Sequence, residues 1–310
     1  MKMIVNDLRP RGYCHGVARA LSIVKKAIND ETVVKPIYIL GLIVHNKKIK
    51  EAFDYYHVIS LEESGKTRVE LAKQVIDGTV ILTAHGVSPE VKTILNERNI
   101  PYIDATCKDV YHVHDHIKEH LKTHEIIYIG KKNHPEVEGA LGISNEIALV
   151  SNLDEAKNYQ KRSNKPIYIT NQTTLSVFDV AFMVEAISAK FQDVTFDQDI
   201  CAATLNRQKA VIEQSEADLL IVVGDNLSSN SNKLKYVSEV QTNTKAKLIE
   251  TIDDIKIEWL KDIKIVNVTS GASTPTAVTN EVISFLKQFD YNKKETWDHV
   301  SKLTHLDILS

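Results

Sequence analysis

Cysteine is scarce in this chain: 310 residues contain three. No second cysteine lies near Cys14, which excludes a CxxC redox pair there. An odd count with no secretory pattern also argues against a disulfide framework. Long apolar runs are missing too, and the longest, such as "LLIVV" at 219–223, are far too short to span a bilayer. The opening stretch "MKMIVNDLRPRGY" has no long apolar core and no small-residue cleavage site, so no signal peptide is expected and the expected location is the cytosol. There is no excess of positive charge. A net charge of −3 gives no ground for a nucleic-acid-binding surface. Neither a GxxxxGK[ST] loop nor a convincing GxGxxG is present, so the usual glycine-rich phosphate cradles do not apply. What remains is an ordinary globular composition, 25% charged and 43% apolar, in a chain long enough for a well-buried core.

The placing of the three cysteines carries the first positive signal. Cys14 and Cys107 are 93 residues apart, and Cys107 and Cys201 are 94 apart. Near-equal spacing points to internal repetition. Cys14 opens "CHGVARALSIVKKAI", with Val17, Leu21, Val24 and Ile28 on one helical stripe. Cys107 opens "CKDVYHVHDHIKEHL", with Val110, Val113, Ile117 and Leu121 on another. Cys201 opens "CAATLNRQKAVIEQ", where Leu205, Val211 and Ile212 give a weaker signal. Each cysteine therefore marks a strand-to-helix junction.

Each third then continues as helix, strand-loop, helix, strand-loop. The strand-loops are "PIYILGLIVHN" and "TVILTAHGVSPE", then "EIIYIGKKNHPEVEG" and "PIYITNQTTLS", then "DLLIVVGDNLSSNSN" and "IKIVNVTSGASTP". Strands alternating with helices indicate parallel α/β sheets, whose ligand loops lie beyond the carboxyl ends of the strands. The expected fold is three tandem small parallel-sheet α/β domains in a pseudo-threefold arrangement around a central cluster. The expected boundaries are an N-terminal strand segment at 1–13, repeats at 14–106, 107–200 and 201–290, and a tail at 291–310.

If the three domains face a common centre, three thiols converge there. Structural zinc would want a fourth protein ligand. Three thiolates without a nearby carboxylate favour an iron–sulfur cluster instead. In a [4Fe–4S] cluster, three cysteines leave one iron open to a substrate oxygen. The surrounding loops are rich in short polar side chains: His45, His85, His134, Thr173, Thr174, Ser228, Ser229, Asn230 and Ser273. Such groups, with backbone amides at helix starts, suit a phosphate-bearing ligand. Any one of these hydroxyls could equally be an N-cap. "HPEVEG" adds Glu136, which in a dry pocket could carry protons. His112, His116 and His120 recur every four residues, and the expectation for them is a solvated helix face. His15 could face the cluster or merely pack beside it, and Trp259 and Trp297 read as structural.

The ordered motifs "PRGYCHGV", "IVHN", "AHGVS", "DATC", "HPEVEG", "QTTLS", "SSNSN" and "GASTP" together resemble the 4-hydroxy-3-methylbut-2-enyl diphosphate reductase family over nearly the whole chain. The resemblance implies that Cys14, Cys107 and Cys201 hold one [4Fe–4S] cluster. It implies that His45, His85, His134, Ser228, Ser229, Asn230 and Ser273 bind the diphosphate. Thr173 would contact the substrate hydroxyl with Thr174 beside it, and Glu136 would be the proton donor. The reaction implied is reductive dehydroxylation of the allylic diphosphate to isopentenyl and dimethylallyl diphosphate, with a ferredoxin or flavodoxin as electron donor. Two places depart from the family pattern: His15 stands where alanine is common, and "GKKN" precedes "HPEVEG". Other readings are a quinolinate synthase-like enzyme acting on small dicarboxylates, and a cluster-based redox sensor.

Overall fold

The computed structural model describes residues 3–213 and 216–309. They form two compact units. One comprises Met1–Val17, His45–Tyr55 and Ala202–Ser310, and the other Ala18–Val44 and Tyr56–Cys201.

The strands are β1 (Ile4–Asp7), β2 (Ile37–Leu40), β3 (Val58–Leu61), β4 (Thr79–Leu82), β5 (Tyr102–Asp104) and β6 (Glu125–Ile129). They continue as β7 (Ala148–Val150), β8 (Ile167–Asn171), β9 (Val194–Phe196), β10 (Leu219–Val223), β11 (Ala246–Ile249) and β12 (Ile265–Ser270). They build three four-stranded sheets, all parallel, in the orders β1-β12-β10-β11, β3-β2-β4-β5 and β7-β6-β8-β9. The first sheet lies in the first unit and the other two in the second. The three-sheet α/β architecture is the one the strand–helix alternation predicts.

The middle strands explain why these segments form sheets. Every residue of β4, β6, β8 and β10 is buried. Parallel strands covered on both faces are buried along their length and mostly apolar. Two strands per third are legible in the sequence, but each sheet has four. The additional ones, including β5, β7 and β9, are only three or four residues long, and several are half-buried. That leaves too little periodicity to recognise. The cysteine-preceding strands β1, β5 and β9 occupy the same edge, beside β12, β4 and β8. The first strand of the chain thus completes the last sheet, in register from Ile4↔Ile265 to Asp7↔Val268.

The segment after residue 290 is anchored within the first unit. Tyr13 Oη donates to the Ile308 carbonyl at 2.7 Å, Ser301 Oγ donates to Glu281 at 2.8 Å, and the Tyr55 and His305 rings stack at 3.7 Å. Low apolar content hides this docking from sequence inspection.

In the second unit, Glu125 opens β6 and pins the loop that precedes β8. Its carboxylate accepts from Tyr159 Oη at 2.7 Å, from Ser163 Oγ at 2.7 Å and from the Arg162 amide at 2.9 and 3.0 Å. Burial would raise this carboxyl, but the Arg162 amide and the Ser163 and Tyr159 hydroxyls together hold it below the ordinary glutamate value. Hydrogen bonds to a charged group are worth about 1.5–3 kcal/mol each. Glu125→Gln is therefore expected to lose about 2 kcal/mol in urea denaturation at pH 7. A group with a depressed folded-state pKa stabilises above its unfolded value and loses that contribution as pH falls through the folded one. The gap between wild type and variant should accordingly close below the ordinary glutamate range, and a gap that persisted at acid pH would contradict the assignment.

Candidate active site

The site grows from two loop patterns that occur three times. Gly41, Gly130 and Gly224 follow β2, β6 and β10 directly. Their amides donate to the last carbonyls of β3, β7 and β11: Leu61 at 2.9 Å, Val150 at 3.0 Å and Ile249 at 2.8 Å. The same offset from each glycine then brings His45, His134 and Ser228. The second pattern follows β4, β8 and β12, where His85, Thr174 and Ser273 share one offset. The residues just before them are Ala84, Thr173 and Ala272. Their carbonyls accept from the cysteine amides: Cys107 at 3.0 Å, Cys201 at 3.1 Å and Cys14 at 3.1 Å. Each cysteine is thus tied by one backbone hydrogen bond to the loop beyond the strand neighbouring its own.

All three cysteines are half-buried thiols, with no disulfide among them. Cys14 and Cys201 immediately precede the helices His15–Asn29 and Ala202–Glu213, and Cys107 is the N-cap of Lys108–His120. The Val17 amide points at Cys14 Sγ from 3.5 Å. The Cys107 side chain makes no capping hydrogen bond. A helix N-terminus favours a thiolate and any anionic group bound to it. This donor set suits a thiolate-ligated cluster.

In the first unit the loop after β10 supplies hydroxyls and an amide. Ser228 caps the helix Ser229–Gln241 by accepting from the Ser231 amide at 3.3 Å. Asn230 donates to Thr204 Oγ1 at 3.3 Å, leaving its own Oδ1 buried without a hydrogen-bond partner. Ser273 Oγ donates to the His45 carbonyl at 2.9 Å, and the Lys47 amide donates to Asp225 at 2.9 Å. Gly224 and Gly271 are required by close approach, because a Cβ at either position would collide with Ser231 Oγ. The structure therefore brings Ser228, Ser229, Asn230, Ser273 and the His45 backbone into one loop system. The N-cap alternative for Ser228 also holds.

In the second unit, His134 caps the helix Pro135–Leu141, its Nδ1 accepting from the Glu136 amide at 3.2 Å. Neutral His134 consequently carries its proton on Nε2. The His85 ring meets it edge-on, with centroids 5.5 Å apart. Glu136 is 2% exposed. One carboxylate oxygen accepts from the Thr173 amide at 2.7 Å and the other from Thr173 Oγ1 at 3.1 Å. Burial pushes the Glu136 carboxyl up to about 7, against the opposing pull of the two Thr173 hydrogen bonds. Thr174 Oγ1 accepts from Gln172 Nε2 at 3.1 Å, and Gln172 Oε1 accepts from the Lys131 amide at 3.0 Å. Gln172 so ties the two loops of this sheet together.

Tyr128 was not legible as a site residue. It sits in the middle of β6 and reads as core, yet its fully buried hydroxyl faces Glu136 without the geometry of a full hydrogen bond. The helix face carrying His112, His116 and His120 corrects another expectation, since only part of it is solvated. His120 stacks flat on Tyr168 at 3.9 Å, and His116 lies against Asp197 and Asp199.

Three parallel sheets, each with two polar loops and a cysteine-opened helix, define an α/β enzyme class built on a repeated ligand-loop plan. A family model described as LytB protein matches residues 5–287. Curated 4-hydroxy-3-methylbut-2-enyl diphosphate reductases from Bacillus velezensis and Bacillus subtilis are each 50% identical over 298 residues, 95% of this chain and 94% of theirs. The solved E-1-hydroxy-2-methyl-but-2-enyl-4-diphosphate reductase of Plasmodium falciparum aligns with a TM-score of 0.86 at 32% identity, over 94% of this chain and 90% of that one. The chain belongs to the LytB family and is an oxidoreductase. The resemblance drawn from the eight motifs is thereby borne out. Among the described residues, no helix is long and apolar enough to cross a membrane.

A carboxyl poised near neutrality by burial is open to direct measurement. Isotope-edited infrared titration should find Glu136 half-protonated near pH 7. Thr173→Ala removes a hydroxyl that stabilises the charged form, so it should move that midpoint upward. A midpoint in the ordinary glutamate range would show that burial does not dominate.

Proposed function

We propose that this chain is a 4-hydroxy-3-methylbut-2-enyl diphosphate reductase. It removes the allylic hydroxyl of the (E)-substrate and yields isopentenyl and dimethylallyl diphosphate. The observation that carries the reading is the triple use of Thr173. Its amide and hydroxyl hold Glu136, and its carbonyl holds the Cys201 amide. A proton-carrying acid and a cluster-type cysteine thus share one residue, in a chain half identical to reductases of that name.

Cys14, Cys107 and Cys201 would hold one [4Fe–4S] cluster with its fourth iron open. When bound, the cluster supplies electrons one at a time and a Lewis-acid position. The chain's own groups do the rest. His45, His85, His134, Ser228, Ser229, Asn230 and Ser273 bind and orient the diphosphate, with Thr174 beside them. Charge-assisted hydrogen bonds of this kind are short and strong. Thr173 Oγ1 positions the substrate hydroxyl. Glu136, protonated about half the time near neutrality, delivers a proton. The balance is one C–O bond broken, two electrons and two protons consumed, and one water released. The electrons come from a ferredoxin or flavodoxin, in the cytosol, where thiols stay reduced. The segments 14–106, 107–200 and 201–290 are the three α/β repeats of this plan.

The test is anaerobic turnover of the allylic diphosphate with dithionite and a viologen dye. Serine in place of Cys14, Cys107 or Cys201 should cost the brown cluster absorption. Glu136→Gln should keep that absorption and lose about 100-fold or more in turnover. Full activity in Glu136→Gln would remove the proton-donor role. An intact cluster that turned over small dicarboxylates but not the diphosphate would overturn the reading.

A further inference from the structure

The helix Lys108–His120 presents a second donor set that the proposed reaction does not use. His112 and His116 lie one turn apart, with ring centroids at 3.9 Å. Facing them is the segment between β9 and Cys201. His116 Nδ1 stands 3.7 Å from Asp199 Oδ1 and 3.7 Å from Asp197 Oδ2. Those distances are too long for hydrogen bonds. They approach the roughly 3.3 Å that separates two donors sharing a tetrahedral ion with bonds near 2.0 Å. One donor atom each from His112, His116 and Asp199 lies within 4.8 Å of the others. The Asp199 side chain is only 5% exposed, and His116 Nδ1 is buried with no hydrogen-bond partner.

We propose that His112, His116 and Asp199 form a zinc site, with Asp197 as a further carboxylate at its edge. Two imidazoles at i and i+4 on a helix plus one carboxylate are a borderline N₂O donor set, suited to Zn²⁺ and unsuited to Mg²⁺ or Ca²⁺. The carboxylate is already oriented. Asp199 Oδ2 accepts from Thr170 Oγ1 at 2.6 Å, and the Asp199 amide donates to Asn171 Oδ1 at 3.2 Å. Asp197 is likewise held by Tyr168 Oη at 2.8 Å. Such outer partners fix ligating carboxylates. A bound cation would relieve the crowding of two carboxylates.

The consequence is a staple within the second unit. The helix begins directly after Cys107, and Asp199 lies two residues before Cys201. A cation here cross-links the two cysteine-bearing segments through groups that are not thiols. It is a structural site rather than part of the reaction.

Tag-free, anaerobically prepared holoprotein titrated with Co²⁺ tests this. One equivalent should bind with d–d absorption and no thiolate-to-cobalt charge-transfer band. His112→Gln and His116→Gln should each weaken binding at least tenfold, whereas His120→Gln, one turn further on, should not. Zn²⁺ should raise the thermal midpoint of wild type but not of His116→Gln, with the iron–sulfur absorption unchanged. The exposed His112 makes His112→Gln informative even if His116→Gln folds poorly. Equal affinity in wild type and His112→Gln, or a thiolate charge-transfer band at one equivalent, would overturn the proposal and leave His116 as an ordinary ion-pair partner of the two aspartates.

Discussion

The hydrogen bond from each cysteine amide to the carbonyl beyond a neighbouring strand is the constraint on which the site's order rests. A thiol at a helix start has rotational freedom, and so does the loop facing it. One backbone bond per cysteine, 3.0–3.1 Å long in all three cases, fixes the cysteine's backbone and the facing loop together, leaving only the side-chain torsion. It also fixes the helix direction, because the cysteine amide is among the first of that helix's otherwise orphaned donors. At Cys107 the side chain makes no capping hydrogen bond, whereas Cys14 Sγ faces the Val17 amide. The buried middle strands make this possible. Their buried runs leave the strand ends as the place where the loops emerge.

On this frame the electrostatics of Glu136 are set by two opposing effects. Full burial disfavours the carboxylate, and two hydrogen bonds from Thr173 favour it. Burial wins, and a carboxyl raised to about 7 corresponds to a bias of roughly 3 kcal/mol against the charge. That bias is also a stability statement. A carboxyl raised in the folded state favours folding below its unfolded value and erodes that advantage as pH rises through about 7. Glu125, in the same sheet, shows the reverse: four hydrogen bonds outweigh its burial, and it stays charged and structural. The two glutamates differ both in how many donors surround them and in how deeply their carboxyls lie.

Much of this was open to reading in the residues themselves. Helix stripes after Cys14 and Cys107 and the buried runs "LLIVV" and "EIIYI" carry enough periodicity to name elements. The near-equal cysteine intervals carry the repeat. Edge strands such as β5 and β9 were not legible, because three half-buried residues have no period to detect. Nor was the completion of the last sheet by β1, since pairing between Ile4 and Ile265 leaves no local trace. Tyr128 was hidden by its setting in a wholly buried strand, where a hydroxyl near a carboxylate looks like one more aromatic. The acidic partners of His116 were hidden because Asp197 and Asp199 come from a segment more than eighty residues away.

Repetition alone would give three equivalent loops and no direction to the chemistry. What differs is the residue placed in each equivalent slot. The carbonyl that receives a cysteine amide belongs to alanine twice, at Ala84 and Ala272, and to threonine once, at Thr173. Six residues past the strand-ending glycines stand Lys47, Glu136 and Asn230, so the acid also occurs once. The single hydroxyl and the single acid fall in the two loops of one sheet, and they meet. The parallel register of β6 and β8, from Glu125↔Ile167 to Ile129↔Asn171, makes that meeting unavoidable, because it ends both strands level. A repeated local plan thus supplies position, and two unique side chains turn one of its loop pairs into a place where a proton can be held and moved.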